Sequence, residues 1–112
     1  MIESVVQIDC SEIHDWESFH DVFANAFQFP PFYGRNMDAW IDCLSSIDTP
    51  EDGLTGIHVE PGEVLTIELS NVESFRERCP DQFQAIIDCA AFVNWRRLES
   101  GSQSVLAVSY YK

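Results

Sequence analysis

Segment 29–34, Phe-Pro-Pro-Phe-Tyr-Gly, limits the fold of this chain more than any other stretch. Its two prolines lack backbone N–H groups and hold the preceding residues extended, so no helix can continue through it. Apolar side chains at helical spacing predict one helix over residues 15–28. Asn36 is a suitable N-cap for a second helix over residues 37–47. We therefore expect two helices joined by a stiff loop.

The remaining pattern predicts an α/β fold in a single domain over residues 1–112. Pro80 is typical of the first residue of a long helix. The turn-like residues 60–63, between two strand-like stretches, predict an extra β-hairpin near residues 54–69. We expect a small, mainly parallel three-stranded sheet packed with about four helices. The other predicted elements are strands at 4–10 and 104–110 and helices at 72–78 and 80–98.

The chain is strongly acidic, with 19 Asp and Glu residues against 6 Lys and Arg residues and a net charge of −13. The imbalance lies in residues 1–75, where 15 acidic residues are accompanied by Arg35 alone, while residues 76–112 hold 4 acidic and 5 basic residues. Such a field attracts basic proteins and repels nucleic acid and anionic membranes, so we expect neither of the latter as a partner. A general need for solubility explains the same composition, so charge alone leaves the function open.

The four cysteines form no Cys-x-x-Cys pair, and a chain of this length folds without disulfides. We interpret Cys10, Cys43, Cys79 and Cys89 as reduced, mostly buried thiols of a cytoplasmic protein. No secretory signal and no membrane-length apolar run opens the chain. The three histidines lack the spacing of metal ligands and no phosphate-binding glycine motif occurs, so we expect no metal and no cofactor.

The stretch from the proline loop into the second helix carries the candidate binding residues. The loop presents Phe32 and Tyr33, and Gly34 lets a partner approach the backbone closely. Asp38 and Asp42 are four residues apart and so lie one helical turn from each other. Aromatic anchors beside two carboxylates are typical of a surface that binds a basic pocket, and the carboxylates can substitute for two phosphates of RNA.

Two other interpretations of these residues stay open at the level of residue chemistry. Asp38 also suits the positive end of the helix dipole, and the two aromatics suit a cover for the core. An enzyme would use Asp38 and Asp42 as general acid and base, but such a pair needs surroundings that separate the two pKa values, usually in a cleft. An exposed stripe flanked by further acids lacks that asymmetry, so we expect that the chain is not an enzyme.

Residues 30–44, Pro-Pro-Phe-Tyr-Gly-Arg-Asn-Met-Asp-Ala-Trp-Ile-Asp-Cys-Leu, resemble the loop and second helix of the barstar family of intracellular inhibitors of barnase-type ribonucleases. The resemblance is strong over residues 11–44 and elsewhere rests on the order of elements. It implies a barstar-like fold and a monomeric, cytoplasmic immunity protein of a bacterial toxin–antitoxin pair. Such a protein occludes the active site of a basic extracellular or toxin ribonuclease. The alternative is a non-inhibitory acidic interaction module on the same scaffold.

The resemblance also implies roles for individual residues. Asp42 would imitate a substrate phosphate and meet the Arg and His cluster of the enzyme, and Asp38 would pair with a basic residue near the rim. Phe32 and Tyr33 would pack on the enzyme surface, and Gly34 and Asn36 would shape the loop. The implied partner-binding residues are Phe32, Tyr33, Gly34, Asn36, Asp38, Ala39 and Asp42.

Four departures from the family pattern favour a cognate ribonuclease other than barnase. Phe32 stands where a family representative has tyrosine, and Arg35 replaces an acidic residue inside the contact loop. Residues 94–97, Asn-Trp-Arg-Arg, offer no counterpart to an assisting acid of the long helix, and we assign their two arginines to the negative end of the helix dipole. An insertion near residues 48–62 lengthens the chain.

Overall fold

The computed structural model describes residues 1–111 and confirms the predicted α/β fold. Three parallel strands lie in the order β1-β2-β3, with Val6 opposite Ile67 and Ile67 opposite Val108. The strands are β1 (Val5–Asp9), β2 (Leu65–Ser70) and β3 (Leu106–Tyr110), the helices are α1 (Trp16–Phe27), α2 (Met37–Ser45), α3 (Val72–Arg78) and α4 (Pro80–Glu99), and short 3₁₀ turns span Cys10–Glu12 and Pro50–Asp52.

The sheet has a buried face and an exposed face because apolar and polar side chains alternate along its strands. Ile8 and Ile67 on the buried face are 0% exposed. On the opposite face the Gln7 amide donates to Glu68 Oε1 at 3.0 Å. The helices supply the other half of the core, in which the largest fully buried side chains are Trp40, Phe19, Phe23, Phe27 and Phe75.

The two helices beside the proline loop begin where capping residues predict. Asp15 Oδ1 accepts from the Ser18 backbone N–H at 2.8 Å, and the Ser18 hydroxyl oxygen accepts from the Asp15 N–H, so that two donors at the start of α1 are satisfied. Helix α1 ends at Phe27 and is followed by the C-cap Gln28, whose backbone is left-handed with φ 55°. Helix α2 then packs against α4, and this contact fixes the surface on which the candidate residues lie.

The predicted extra hairpin is wrong. Residues 54–59 form no strand, and His58 makes only an isolated parallel bridge with Ile2. Strand β2 lies between β1 and β3, so neither of its edges is free to pair with residues 54–59. The segment runs instead beside the N-terminus, where the His58 N–H donates to the Met1 carbonyl at 2.7 Å, and beside the end of α1, where the Gly56 N–H donates to the Phe27 carbonyl at 3.0 Å.

The cysteines are free thiols, of which Cys10, Cys43 and Cys79 are buried and Cys89 is half-buried. Burial raises the pKa of Cys10 to about 12 and that of Cys43 to about 11, so both stay protonated and unreactive near neutral pH. Within residues 1–111 no three His, Cys, Asp or Glu side chains are grouped as a metal site would require. In the same residues no helix combines the length and the apolar character needed to cross a membrane.

Candidate protein-binding site

The proline loop is anchored by Tyr33, which lies inside the protein. Its side chain is only 9% exposed, its hydroxyl is hydrogen-bonded to His20 Nδ1 at 2.6 Å, and its ring packs on Phe29 with centroids 4.6 Å apart. Burial raises the pKa of Tyr33, so the phenol stays neutral. The neighbouring Phe32 is 74% exposed. The two adjacent aromatic side chains therefore differ in position: Tyr33 is buried and holds the loop, whereas Phe32 is exposed to solvent.

Asn36 connects the loop to α2 through both ends of its amide. Its Oδ1 accepts from the Ala39 N–H at 2.8 Å, which caps the helix, and its Nδ2 donates to the Gly34 carbonyl at 3.3 Å. A Cβ on Gly34 would lie 3.3 Å from Asn36 Nδ2, so a side chain there would crowd the capping amide. Gly34 and Asn36 thus give the loop its shape and fix the start of α2.

Helix α2 presents its two aspartates to solvent and its apolar side chains to the core. Asp38 and Asp42 are exposed, whereas Trp40 and Leu44 are 0% exposed. The spacing of four residues places the two carboxylates on one stripe, with Cβ atoms roughly 6 Å apart. Ala39, in the turn between them, is half-buried. This stripe follows directly from the loop that exposes Phe32.

Asp42 is already paired within the chain, with Arg96 of α4. Both terminal nitrogens of the Arg96 guanidinium lie 3.2 Å from Asp42 Oδ1, and the two side chains are 42% and 64% exposed. Sequence reasoning assigned Arg96 to the helix dipole and missed this contact. The contact forms because α2 packs on α4. Asp42 and Arg96 are 54 residues apart in the chain, so no local sequence pattern reveals it.

The positive charge of Arg35 contacts α1. This residue has a left-handed backbone with φ 54°, and its Nη2 lies 2.9 Å from Asp21 Oδ1 and donates to the Glu17 carbonyl at 3.0 Å. Both partners belong to α1. The cation that the sequence places inside the contact loop is therefore paired with the first helix of the chain itself.

Helix α4 adds acidic and aromatic side chains to the same surface. The pKa of the half-buried Cys89 thiol is raised by burial first, and then by the charges of Asp88 and Asp38. These two carboxylates, one from α4 and one from α2, therefore both affect the Cys89 thiol. Further along α4, Phe92 and Trp95 are 43% and 55% exposed, with ring centroids 5.7 Å apart. The surface beside the aspartate stripe thus continues as an aromatic one.

The seven predicted residues differ in how far they reach solvent. Tyr33 is buried and Ala39 is half-buried, and the five exposed residues are Phe32, Gly34, Asn36, Asp38 and Asp42. Gly34 and Asn36 also shape the junction between the loop and α2.

Two comparisons with known proteins bear on this surface. The family model described as "Barstar (barnase inhibitor)" matches residues 3–107. The chain is also similar to the Bacillus subtilis (strain 168) protein named "Putative ribonuclease inhibitor YrdF", with 30% identity over 90 residues that cover 72% of this chain and 94% of that protein. Members of the matched family are inhibitors, which supports the prediction that the chain is not an enzyme. The fold, the family match and the relative together show that the chain belongs to the barstar family of ribonuclease inhibitors.

Proposed function

We propose that this chain binds a basic ribonuclease and occludes its active site with the proline loop and α2. The observation that supports this most is the joint exposure of Asp38 and Asp42 on one stripe beside Phe32. Ribonucleases bind the phosphates of RNA with cationic side chains, and a rigid pair of carboxylates is complementary to such a groove. A competitor held in this geometry would exclude the substrate without any chemical step.

The proposed roles follow the exposure of each residue. Asp42 imitates a substrate phosphate and meets the enzyme's Arg and His cluster, while Asp38 pairs with a basic residue near the rim. Phe32 packs on the enzyme surface as an apolar anchor. Tyr33 acts chiefly through its buried bond to His20, which positions the loop, while its 9% exposed side chain contributes little contact to the partner. Gly34, Asn36 and Ala39 allow the enzyme to approach the junction of loop and helix.

The strong negative charge suits a protein that must capture its target quickly. A net charge of −13 steers a basic ribonuclease toward the inhibitor, and salt screens such steering over about 8 Å at physiological ionic strength. We therefore propose a monomeric immunity protein of the bacterial cytoplasm that protects its own cell from an extracellular or toxin ribonuclease. A neighbouring gene for a small basic ribonuclease would identify the cognate enzyme.

A second candidate is an acidic module that binds a basic protein without inhibiting it. The pairing of Asp42 with Arg96 favours this alternative, because an aspartate with a partner inside the chain is less available to an enzyme. The two functions differ in one observable: an inhibitor abolishes the activity of the bound ribonuclease, whereas a module leaves the bound enzyme active.

Titration of ribonuclease activity tests the proposal. The purified chain is added to barnase and to a panel of other small basic ribonucleases, and RNA cleavage and complex formation are measured in parallel. We expect stoichiometric loss of cleavage for at least one enzyme, with an association rate that falls as salt rises. Binding with cleavage retained would establish the interaction module, and absence of both across the panel would contradict the proposed function.

A further inference from the structure

Arg96 forms an ion pair with Asp42, the carboxylate that the proposed function requires for contact with the enzyme. Three contacts hold its guanidinium: Asp42 Oδ1 at 3.2 Å from both terminal nitrogens, Ser45 Oγ at 2.7 Å from Nη2, and the Phe92 ring at 6.0 Å from centroid to Cζ. Ser45 is in turn fixed, because its hydroxyl donates to the Ile41 carbonyl at 2.6 Å. The arginine is therefore held between α2 and α4 by several contacts, although its side chain and that of Asp42 stay 42% and 64% exposed.

The geometry of this ion pair leaves half of the carboxylate unused. Both nitrogens of Arg96 approach Oδ1, and within residues 1–111 no hydrogen bond reaches Asp42 Oδ2. An arginine that bonds a carboxylate with two parallel N–H···O bonds, one to each oxygen, makes the stronger arrangement. The ion pair between Arg96 and Asp42 is therefore weak, and a guanidinium that bonds both carboxylate oxygens can displace Arg96.

We propose that Arg96 is a built-in competitor for Asp42 that sets which ribonucleases the chain inhibits. This inference rests on the proposed function, since it concerns the same aspartate. An enzyme must displace Arg96 before its own cation can reach Asp42, and the displaced charge then stays close to a cationic active site. The partner class that meets this demand is a ribonuclease whose active site presents a guanidinium able to bond both oxygens of Asp42. Enzymes that offer a single ammonium group gain too little to displace Arg96.

The energetics indicate that Arg96 weakens the binding of some ribonucleases more than others and does not prevent binding altogether. An exposed ion pair is worth little in free energy, so Arg96 alone cannot prevent binding. A like charge left inside a closed interface is more costly, because water no longer screens it from the cations of the enzyme. The expected consequence is a moderate loss of affinity for every partner and a larger loss for those that cannot replace the guanidinium.

The test compares two variants that change the net charge equally. Arg96→Gln removes the competitor, whereas Arg76→Gln removes an exposed arginine of α3 that packs over Phe83, outside the candidate site. Both variants are titrated against barnase and the same panel of basic ribonucleases, with circular dichroism melting to verify folding. We expect Arg96→Gln to bind about threefold to tenfold more tightly than Arg76→Gln, since both variants have the same net charge and only Arg96→Gln frees Asp42.

A second comparison shows whether Arg96 acts through Asp42. In an Asp42→Asn background, the advantage of Arg96→Gln over Arg76→Gln should shrink, because only the like charge near the enzyme remains to be removed and there is no carboxylate to compete for; an undiminished advantage would show that Arg96 does not act through Asp42. Equal affinities of Arg96→Gln and Arg76→Gln with Asp42 intact, or weaker binding by Arg96→Gln, would overturn the inference, and weaker binding would instead make Arg96 a positioning residue. Asp42→Asn that still inhibits like wild type would refute the role of Asp42 itself, and no inhibition by either wild type or Arg96→Gln would refute both proposals.

Discussion

At the scale of single residues, adjacent side chains of similar chemistry have opposite positions. Phe32 and Tyr33 are both aromatic loop residues, yet the first is exposed and the second is buried against His20. The sequence predicted that both would pack on a partner. It could not distinguish them, because the hydrogen-bond partner of Tyr33 lies 13 residues away on α1 and leaves no mark in the local pattern.

Removal of the Tyr33 hydroxyl should lower the stability of the protein. Tyr33→Phe leaves His20 Nδ1 buried without its partner, which we expect to reduce the free energy of unfolding by about 1–3 kcal/mol. Urea denaturation at pH 8 measures this with His20 neutral in both states, because its pKa is lowered by burial and then by Arg35 in the folded state and is about 6.5 in the unfolded one. Tyr110→Phe, at a 44% exposed position, is the control. A loss no larger than that of the control would show that the bond contributes nothing.

At the scale of elements, capping residues and proline predicted the helix boundaries correctly. The sequence did not predict which distant segments contact each other. Asn36 is the N-cap of α2 as predicted, and α1 begins within one residue of the start at Asp15 that helical periodicity predicted, since caps and periodicity are local properties. Residues 54–59 were assigned to a hairpin because a turn follows them, but the central place of β2 is decided by β1 and β3, far away in the chain. The Arg96–Asp42 contact was missed for the same reason, since it depends on how two distant helices pack.

The C-terminal end of α4 is tied to the segment after α2 by a second arginine. Arg97 Nη2 lies 2.7 Å from Asp48 Oδ2, both side chains are 13% exposed, and Arg97 also donates to the Ser45 carbonyl at 2.8 Å. Burial acts to raise the pKa of Asp48, but the hydrogen bond and charge of Arg97, together with the hydrogen bonds from Thr49 and the backbone, outweigh it, so the pKa is lowered from its ordinary 3.8. This ion pair therefore stabilises the fold above pH about 4 and stops doing so as pH falls through the lowered pKa.

Asp48→Asn should accordingly destabilise the protein in a manner that depends on pH. At pH 7 we expect a loss of about 1–3 kcal/mol in the free energy of unfolding, because Arg97 keeps its charge in a mostly buried site without a counter-ion. As the pH falls below about 4, Asp48 of the unfolded wild-type chain binds a proton before Asp48 of the folded protein does, so the difference between wild type and variant should shrink. Urea titrations from pH 7 to pH 3 measure it, with Asp52→Asn at an exposed position nearby as control. A difference that stays constant down to pH 3 would contradict the assignment.

At the scale of the whole molecule, the fold brings scattered acids to one surface. Asp38 and Asp42 of α2 and Asp88 of α4 lie on neighbouring, mutually packed helices, next to the exposed Phe32 loop and the aromatic pair of α4. Composition alone predicted a negative electrostatic field, but not where on the surface of the protein the acidic side chains gather. The family pattern predicted the loop and α2, and only the packed structure adds α4 to that surface and shows that one of its arginines already contacts Asp42.

The most direct test of the account is the binding energy carried by Asp42. Calorimetric or kinetic titration of a ribonuclease that the wild-type chain inhibits would compare Asp42→Ala with Glu77→Ala, which removes the same charge from an exposed position on α3. We predict that Asp42→Ala loses about 2–5 kcal/mol of binding free energy with an unchanged melting temperature, while Glu77→Ala loses only the small, salt-sensitive share due to net charge. Equal affinity of the two variants would contradict the claim that this aspartate occupies the phosphate site of the enzyme.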